Sequence, residues 1–247
     1  MKKVLGVLLA LVVAGVGYLS FNPAGARPDH SFDASVATPA YTRNPPRVLF
    51  DEGHHNAHRM DGRYEPFVKL LINDGYVLSH YKGTFTADGL GSGDVLVIVN
   101  ASGGSNPQVF GYNLPFLRAG ERDAPAFTEA EIRTVTEWVR NGGSLLLIAD
   151  HYPFGSAAAS LAAALGVTMH GGFAEVANQY PGQPEPGTIE FMRSNGLLFQ
   201  NEITDGRSLP EKVNRVVTFT GQSLDGPEGA IPLLTLPVDA KEFVPPP

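Results

Sequence analysis

Cysteine is absent from all 247 residues of the sequence. Without a thiol the chain can form no disulfide and no cysteine–metal site, and it cannot use a thiolate nucleophile. Several fixed-spacing signatures are also missing, among them the phosphate-binding P-loop, Gly-x-Gly-x-x-Gly, His-Glu-x-x-His and Gly-x-Ser-x-Gly. A functional site must therefore be assembled by the fold from residues that lie far apart in the sequence.

Long apolar runs are scarce, and the longest is at residues 4–21, directly after Lys2 and Lys3. An Ala-Gly-Ala sequence ends at residue 26, so residues 1–26 are predicted to be a signal peptide. The alternative is an uncleaved anchor, because 18 largely apolar residues can just span a bilayer. A cleaved signal peptide predicts a periplasmic or extracellular protein, whereas an uncleaved anchor predicts attachment to the inner membrane.

Positive charge is in short supply, with 18 basic and 25 acidic side chains and a net charge of −7. Two of the lysines fall in residues 1–26, so a mature chain would carry a net charge of −9. Such a surface repels phosphate backbones, which argues against nucleic acid as a partner. A small molecule or a protein is the expected partner.

Residues 27–46 are rich in proline and are predicted to be an extended linker before a domain at residues 47–247. Strands and helices alternate in that domain, which predicts an α/β fold of three layers, with a mainly parallel sheet and helices on both faces. Thr128 and Glu131 form a capping box that marks the clearest helix. Strands are predicted at 47–50, 76–80, 94–99, 144–149, 167–170, 213–219 and 231–236, and helices at 63–74, 128–141 and 156–165.

Polar side chains cluster after two of these strands. Asp51, Glu52, His54, His55 and His58 follow the first strand, and Asp150 and His151 follow strand 144–149. Ligands of parallel α/β sheets bind at the carboxyl ends of the strands. We therefore expect the two clusters to meet at one rim of the sheet.

Two interpretations of this rim stay open. In the chemical one, His151 is a general base oriented by Asp150, and His55 is a further catalytic candidate. In the structural one, Asp51 and Asp150 brace loops, while Glu52 pairs with a nearby arginine. Candidates for ligand binding are Glu52, His54, Asn100, Tyr152, Phe154, Gly155 and Ser156, although Ser156 also suits a helix cap.

A metal is the remaining chemical alternative at this rim. Histidines and carboxylates together suit a divalent ion such as zinc or iron, but their spacing here matches no metal signature. No cofactor can be named from the sequence.

The order of elements resembles the class I glutamine amidotransferase-like superfamily, and within it a family of unknown function. The resemblance covers about residues 47–236 and implies a flavodoxin-like fold. It rests on these segments: Phe50-Asp51-Glu52-Gly53-His54-His55-Asn56, Gly62-Arg63-Tyr64-Glu65-Pro66-Phe67, Asn73-Asp74-Gly75-Tyr76, Leu147-Ile148-Ala149-Asp150-His151-Tyr152-Pro153-Phe154-Gly155 and Thr218-Phe219-Thr220-Gly221-Gln222-Ser223.

Two departures from the superfamily shape the functional expectation. The turn at residues 150–155 has no cysteine where true amidotransferases have one, which excludes thiolate glutaminase chemistry. The family pattern also continues with a strand and a helix beyond Pro247, so one interpretation is that the chain is truncated. The resemblance leads us to expect an exported, non-glutaminase domain that binds a small ligand or partner at the rim. The alternative is a metal- or histidine-dependent hydrolase outside the inner membrane.

Overall fold

A computed structural model of the protein describes residues 28–105, 108–109, 112–113 and 119–244. The predicted signal peptide or anchor lies outside these residues. Among the described residues, no helix is both long and apolar enough to cross a membrane. In chain order the elements are β1 (Arg47–Asp51), α1 (Glu65–Asn73), β2 (Val77–Tyr81), α2 (Ala87–Leu90), β3 (Val95–Val99), β4 (Gln108–Val109), β5 (Tyr112–Asn113), α3 (Glu129–Arg140), β6 (Ser144–Ile148), α4 (Phe154–Ala164), β7 (Thr168–Met169), β8 (Phe173–Glu175), β9 (Thr188–Met192), α5 (Glu202–Asp205), a 3-10 helix (Leu209–Glu211), β10 (Arg215–Phe219), β11 (Leu224–Asp225) and β12 (Lys241–Phe243).

Four parallel strands form the central sheet in the order β2-β1-β3-β6. The two inner strands, β1 and β3, are the most buried of the four, with four of the five residues buried in each. Such strands are covered on both faces, which is the usual state of a parallel sheet. The prediction of a mixed α/β fold built on a parallel sheet is therefore confirmed.

The sheet side chains alternate between two apolar clusters, as the pleat of a strand requires. Leu49, Leu96 and Ile98 pack with residues of α2, α3 and α4. Val48 and Phe50 pack on the other face, where α1 contributes Val68. The capping box predicted for α3 is present: the Thr128 hydroxyl accepts from the Glu131 amide, and the Glu131 carboxylate accepts from the Thr128 amide.

One predicted strand is present but pairs differently from expectation, and another strand prediction is wrong. The strand predicted at 167–170 does not join the parallel sheet; it shortens to β7 and pairs antiparallel with β11. Residues 231–236 form no strand, and only Leu234 makes an isolated bridge, to Leu198. Pro232 lies within this run and Pro237 follows it, and a proline has no amide hydrogen to donate to a ladder. The paired strands β9–β10 and β8–β12 instead accompany a third apolar cluster in this part of the chain.

The segment predicted as a linker lies against the domain in its described part. The Asn73 side chain donates to the Ala34 carbonyl at 2.8 Å, and the Ala40 amide donates to Asp74 at 2.8 Å. The rings of Tyr41 and Tyr76 meet edge to face. These contacts fasten the segment to α1 and to the start of β2.

Candidate ligand-binding site

A polar pocket of about 590 Å³ opens at the carboxyl ends of β1, β3 and β6. The loops after β1 and β3 are joined there by backbone hydrogen bonds: the Ala57 amide donates to the Asn100 carbonyl, and the Ser102 amide donates to the His54 carbonyl, both at 3.0 Å. The loop after β1 is thereby held over the end of β3. The pocket has a defined wall as a result.

The structure brings most of the sequence-predicted site residues together at this pocket. Its wall includes Glu52, His55, Asn100, Asp150, His151 and Phe154. The two polar clusters, about a hundred positions apart in the sequence, thus share one crevice. His54, Tyr152, Gly155 and Ser156 are not among the lining residues, and each has a different setting.

His54 is buried behind the pocket between two carboxylates. Its Nδ1 lies 2.8 Å from Asp51 Oδ1, and its Nε2 lies 2.8 Å from Glu131 Oε1. An ionised carboxylate can only accept hydrogen bonds, so both ring nitrogens must carry protons. His54 is therefore an imidazolium that links β1 to the start of α3. The prediction that it binds ligand is wrong for this arrangement.

The protonation states in this triad follow from opposing effects. Burial alone would lower the pKa of His54, but the hydrogen bonds and charges of Asp51 and Glu131 outweigh burial and raise that pKa above its usual value. Burial alone would raise the pKa of Glu131, but hydrogen bonds from His54, Thr128 and a backbone amide lower that pKa to about 2. The His54 imidazolium and the Glu131 carboxylate thus stabilise each other's charged form in a buried setting.

Glu52 serves mainly as a brace. Its carboxylate lies 3.1 Å from Arg59 Nη2 and 3.0 Å from His80 Nδ1, and it accepts from the Met60 amide at 3.1 Å. The Glu52 side chain is 1% exposed. This agrees with the structural interpretation, in which Glu52 pairs with an arginine, although part of the residue borders the pocket.

Asp150 and Asn100 are bound to each other in both directions. The Asn100 side chain donates to Asp150 Oδ2 at 2.6 Å, and the Asp150 amide donates to Asn100 Oδ1 at 3.0 Å. The imidazole of His58, 3.8 Å away, and the bond from Asn100 outweigh burial and lower the pKa of Asp150. This couple fixes the ends of β3 and β6 side by side.

His58 is a pocket residue that sequence reasoning considered only as a metal ligand. Its ring stacks on Tyr64 with centroids 5.3 Å apart, and its Nδ1 is buried without a hydrogen-bond partner. Burial and the nearby charge of Asp150 raise the pKa of Tyr64 to about 12, so the phenol stays neutral beneath the imidazole.

His151 lines the pocket with a ring whose orientation is fixed by its own turn. Its Nδ1 lies 2.6 Å from the Tyr152 carbonyl, so this nitrogen is the donor. In the neutral ring, Nε2 is then left as an acceptor. The ring stacks on Phe173, with centroids 4.7 Å apart. The prediction that Asp150 orients His151 is wrong, because a backbone carbonyl holds this ring.

The other predicted ligand residues of this turn have structural contacts. The Tyr152 hydroxyl donates to Asp123 at 2.9 Å. At Gly155 a Cβ would lie 2.4 Å from the Gln222 side chain, so a larger residue would displace that contact. Ser156 does not cap α4, because the helix starts earlier, at Phe154. Pro153 occupies the N-cap position, and no side chain caps the helix there.

Three arginines line the pocket and were not predicted as site residues, namely Arg59, Arg63 and Arg122. The guanidinium of Arg122 lies over the Phe154 ring, 5.1 Å from its centroid. Arginines are common on protein surfaces, and Arg122 lies in a loop that is separated from both polar clusters in the sequence. Only the fold brings the three side chains to one place.

Two pocket residues have a left-handed backbone, with φ of +50° at His55 and +47° at Asn100. Such values are uncommon outside glycine, and they cluster at functional sites, where the surrounding structure holds them. The described residues contain no group of three histidine, aspartate or glutamate side chains placed to hold a metal ion.

Comparisons with known proteins give a fold and no family. No protein-family model and no curated protein matches the chain. A solved structure titled "mmIFT52 N-terminal domain" is similar, with a TM-score of 0.54, 14% identity, and coverage of 78% of this chain and 74% of that one. At this identity the likeness concerns the fold alone. The chain therefore shares the α/β architecture of that domain, and its function has to be argued from its own pocket.

Proposed function

We propose that this protein is an exported domain that binds a small ligand at the carboxyl-end rim of its parallel sheet. The observation that supports this most is the position and size of the pocket. In the order β2-β1-β3-β6 the connections diverge between β1 and β3, and ligands of open α/β sheets bind at such a switch point. The pocket volume of about 590 Å³ is typical of small-molecule sites.

The finer fold assignment belongs to the same proposal. A three-layer, flavodoxin-like arrangement of the class I glutamine amidotransferase-like kind is supported by the strand order and by apolar clusters on both faces of the sheet. Export is supported by the sequence of residues 1–26. The absence of cysteine leaves this scaffold without the nucleophile of a glutaminase. A retained pocket without that nucleophile favours binding as the role.

A compound-library screen by thermal shift tests the proposal. Ala57 is exposed at the pocket wall, so Ala57→Trp should fill the pocket with little effect on the core. Ala130→Trp, on an exposed position of α3, is the matched control. We expect compounds that raise the melting temperature of the wild type and of Ala130→Trp but not of Ala57→Trp. Hits that stabilise all three proteins equally, or no hits at all, would contradict the proposal.

One observation favours a histidine-dependent hydrolase as the second candidate. The Tyr152 carbonyl holds the Nδ1 proton of His151, which leaves Nε2 as the basic atom of a ring at the pocket wall. A general base needs this tautomer and this exposure to substrate. No carboxylate is hydrogen-bonded to the ring in the described structure, so the arrangement differs from that of a catalytic triad.

Chromogenic esters and phosphate esters separate the two candidates. If the protein is a hydrolase, p-nitrophenyl acetate or p-nitrophenyl phosphate should be turned over, and His151→Gln should abolish turnover. His170→Gln, which alters an exposed histidine paired with Asp225, should leave turnover intact. Wild-type protein that turns over neither compound, yet binds ligands in the pocket, supports the binding role.

A further inference from the structure

The charge of the pocket is opposite to that of the protein. The whole chain has a net charge of −7, yet the described pocket wall holds three arginines against two carboxylates, Glu52 and Asp150. It also holds His55, His58 and His151, each of which can add positive charge. Guanidinium groups that line a cleft focus a positive electrostatic field into it. Their concentration in an otherwise acidic protein therefore calls for an explanation.

Both pocket carboxylates are already engaged by neighbouring protein groups. Glu52 accepts from Arg59 and Met60 and lies beside His80, and its side chain is almost completely buried. Asp150 Oδ2 accepts from Asn100 and faces His58 Nε2 at 3.8 Å, while the Asp150 side chain is 41% exposed. Glu52 is therefore withdrawn from a ligand, and Asp150 is the pocket acid that a ligand can approach. The three arginines outnumber it.

The start of α4 adds a further positive element to the same wall. Phe154, its first residue, lines the pocket, and the helix has no side-chain cap and no acidic residue in its first turn. The Phe154 and Gly155 amides already donate to the His151 carbonyl, at 2.8 and 3.4 Å, so the helix start contributes the field of its dipole and not these two donors. Arg122 lies over the Phe154 ring, which places a guanidinium beside this helix end. Hydroxyl and amide groups of Ser102 and Asn100 complete the lining.

We propose that the ligand of this pocket carries a compact oxyanion, a carboxylate or a phosphate, which Arg63 and Arg122 bind beside the start of α4. This inference rests on the proposed function and specifies the chemistry that the pocket recognises. Guanidinium groups suit both oxyanions, because their planar donors match two oxygens at once. Arg59 is held by Glu52 and closes the pocket edge beside them.

Calorimetric titration of the full chain with two simple probes tests the inference. Inorganic phosphate and malonate are the oxyanion probes, and sodium chloride at matched ionic strength is the background. We expect saturable binding of at least one probe. Arg122→Gln and Arg63→Gln should each weaken it by about 10- to 100-fold, which is the usual effect of losing a hydrogen bond to a charged group. Raising the salt concentration should weaken wild-type binding as well.

Arg133→Gln is the matched control, because Arg133 is an exposed arginine on α3 that pairs with Glu129 outside the pocket. This variant should bind like the wild type, and circular dichroism should show that every variant is folded. Equal weakening in Arg133→Gln would overturn the inference, since binding would then follow net charge alone. If only one of the two probes binds, that result identifies the oxyanion and supports the inference.

The same experiment separates this inference from the proposed function. If neither probe binds, but an uncharged library compound does and Ala57→Trp abolishes that binding, the oxyanion inference fails and the pocket proposal stands. If neither the probes nor any library compound binds, both fail. Should an Arg122 variant unfold, Arg63→Gln decides, because Arg63 is exposed and its replacement removes no buried group.

Discussion

Replacement of His54 by glutamine should destabilise the protein strongly. The imidazolium is 6% exposed and lies 2.8 Å from both Asp51 and Glu131. Glutamine removes the positive charge and leaves two buried carboxylates facing each other. Removal of one partner from a buried ion pair costs about 3–5 kcal/mol, because the remaining charge stays buried without compensation. A loss of that size is a large part of the total stability of a domain, about 5–15 kcal/mol.

Urea unfolding, followed by circular dichroism and extrapolated to water, measures this loss. His80→Gln is the matched control, since His80 also pairs with a buried carboxylate, at 3.0 Å, but is itself 44% exposed. We expect a loss of less than about 1 kcal/mol for this control, as for other exposed ion pairs. Equal losses in the two variants, or a loss below about 1 kcal/mol in His54→Gln, would refute the assignment of a buried imidazolium.

The pH dependence of the loss gives a second signature of the triad. The raised pKa of His54 contributes stability that is fully present below about pH 6.5, the unfolded value, and is lost as the pH rises through the folded pKa. The lowered pKa of Glu131 contributes stability that is present above about pH 4.3 and is lost as the pH falls toward its folded value of about 2. The difference between wild type and His54→Gln should therefore be largest between these limits and shrink above pH 6.5. A difference that grows with alkaline pH would contradict a raised His54 pKa.

Three further outcomes test the fold and the site. Leu161→Ala should lower the free energy of unfolding, measured in urea, by about 2–5 kcal/mol, because the Leu161 side chain of α4 is fully buried against the sheet. Leu209 is 86% exposed, so the control Leu209→Ala should change it by less than about 0.5 kcal/mol. Asn100→Ala should lower the free energy of unfolding by about 1–3 kcal/mol more than Asn44→Ala does. Both residues have a left-handed backbone, but only Asn100 is hydrogen-bonded to Asp150. Equal losses would show that those hydrogen bonds add no stability. A chelator should leave the melting temperature unchanged, because the described residues assemble no metal-ligand group, and a clear drop would restore the metal interpretation.

The central sheet was predictable because its signals are local. The apolar run of β3 and the capping box of α3 each lie within a few residues, and both appear as predicted. Parallel strands place their ends at one rim, so the approach of the two polar clusters also followed from strand order. The later strands were less predictable, because their pairing depends on distant partners and not on pattern. The run at 231–236 has strand composition, but Pro232 within it and Pro237 after it limit its pairing to a single bridge.

The roles of the polar residues could not be predicted from their types alone. Glu131 was identified as a helix cap, and it does cap α3, but its other oxygen binds His54, 77 positions earlier in the chain. That contact turns a predicted ligand residue into a structural one. Conversely, Arg122 has no local signal, and its place in the pocket comes from a loop that folds back over α4. Long-range contacts of this kind decide which polar groups face a ligand and which ones brace the loops.

A crystal structure of the protein grown with the tightest-binding compound tests the central claim most directly. We expect electron density for that compound between Arg122, His151 and Asn100, at the ends of β1, β3 and β6. Density for the compound at another surface, with only solvent in this pocket, would contradict the account.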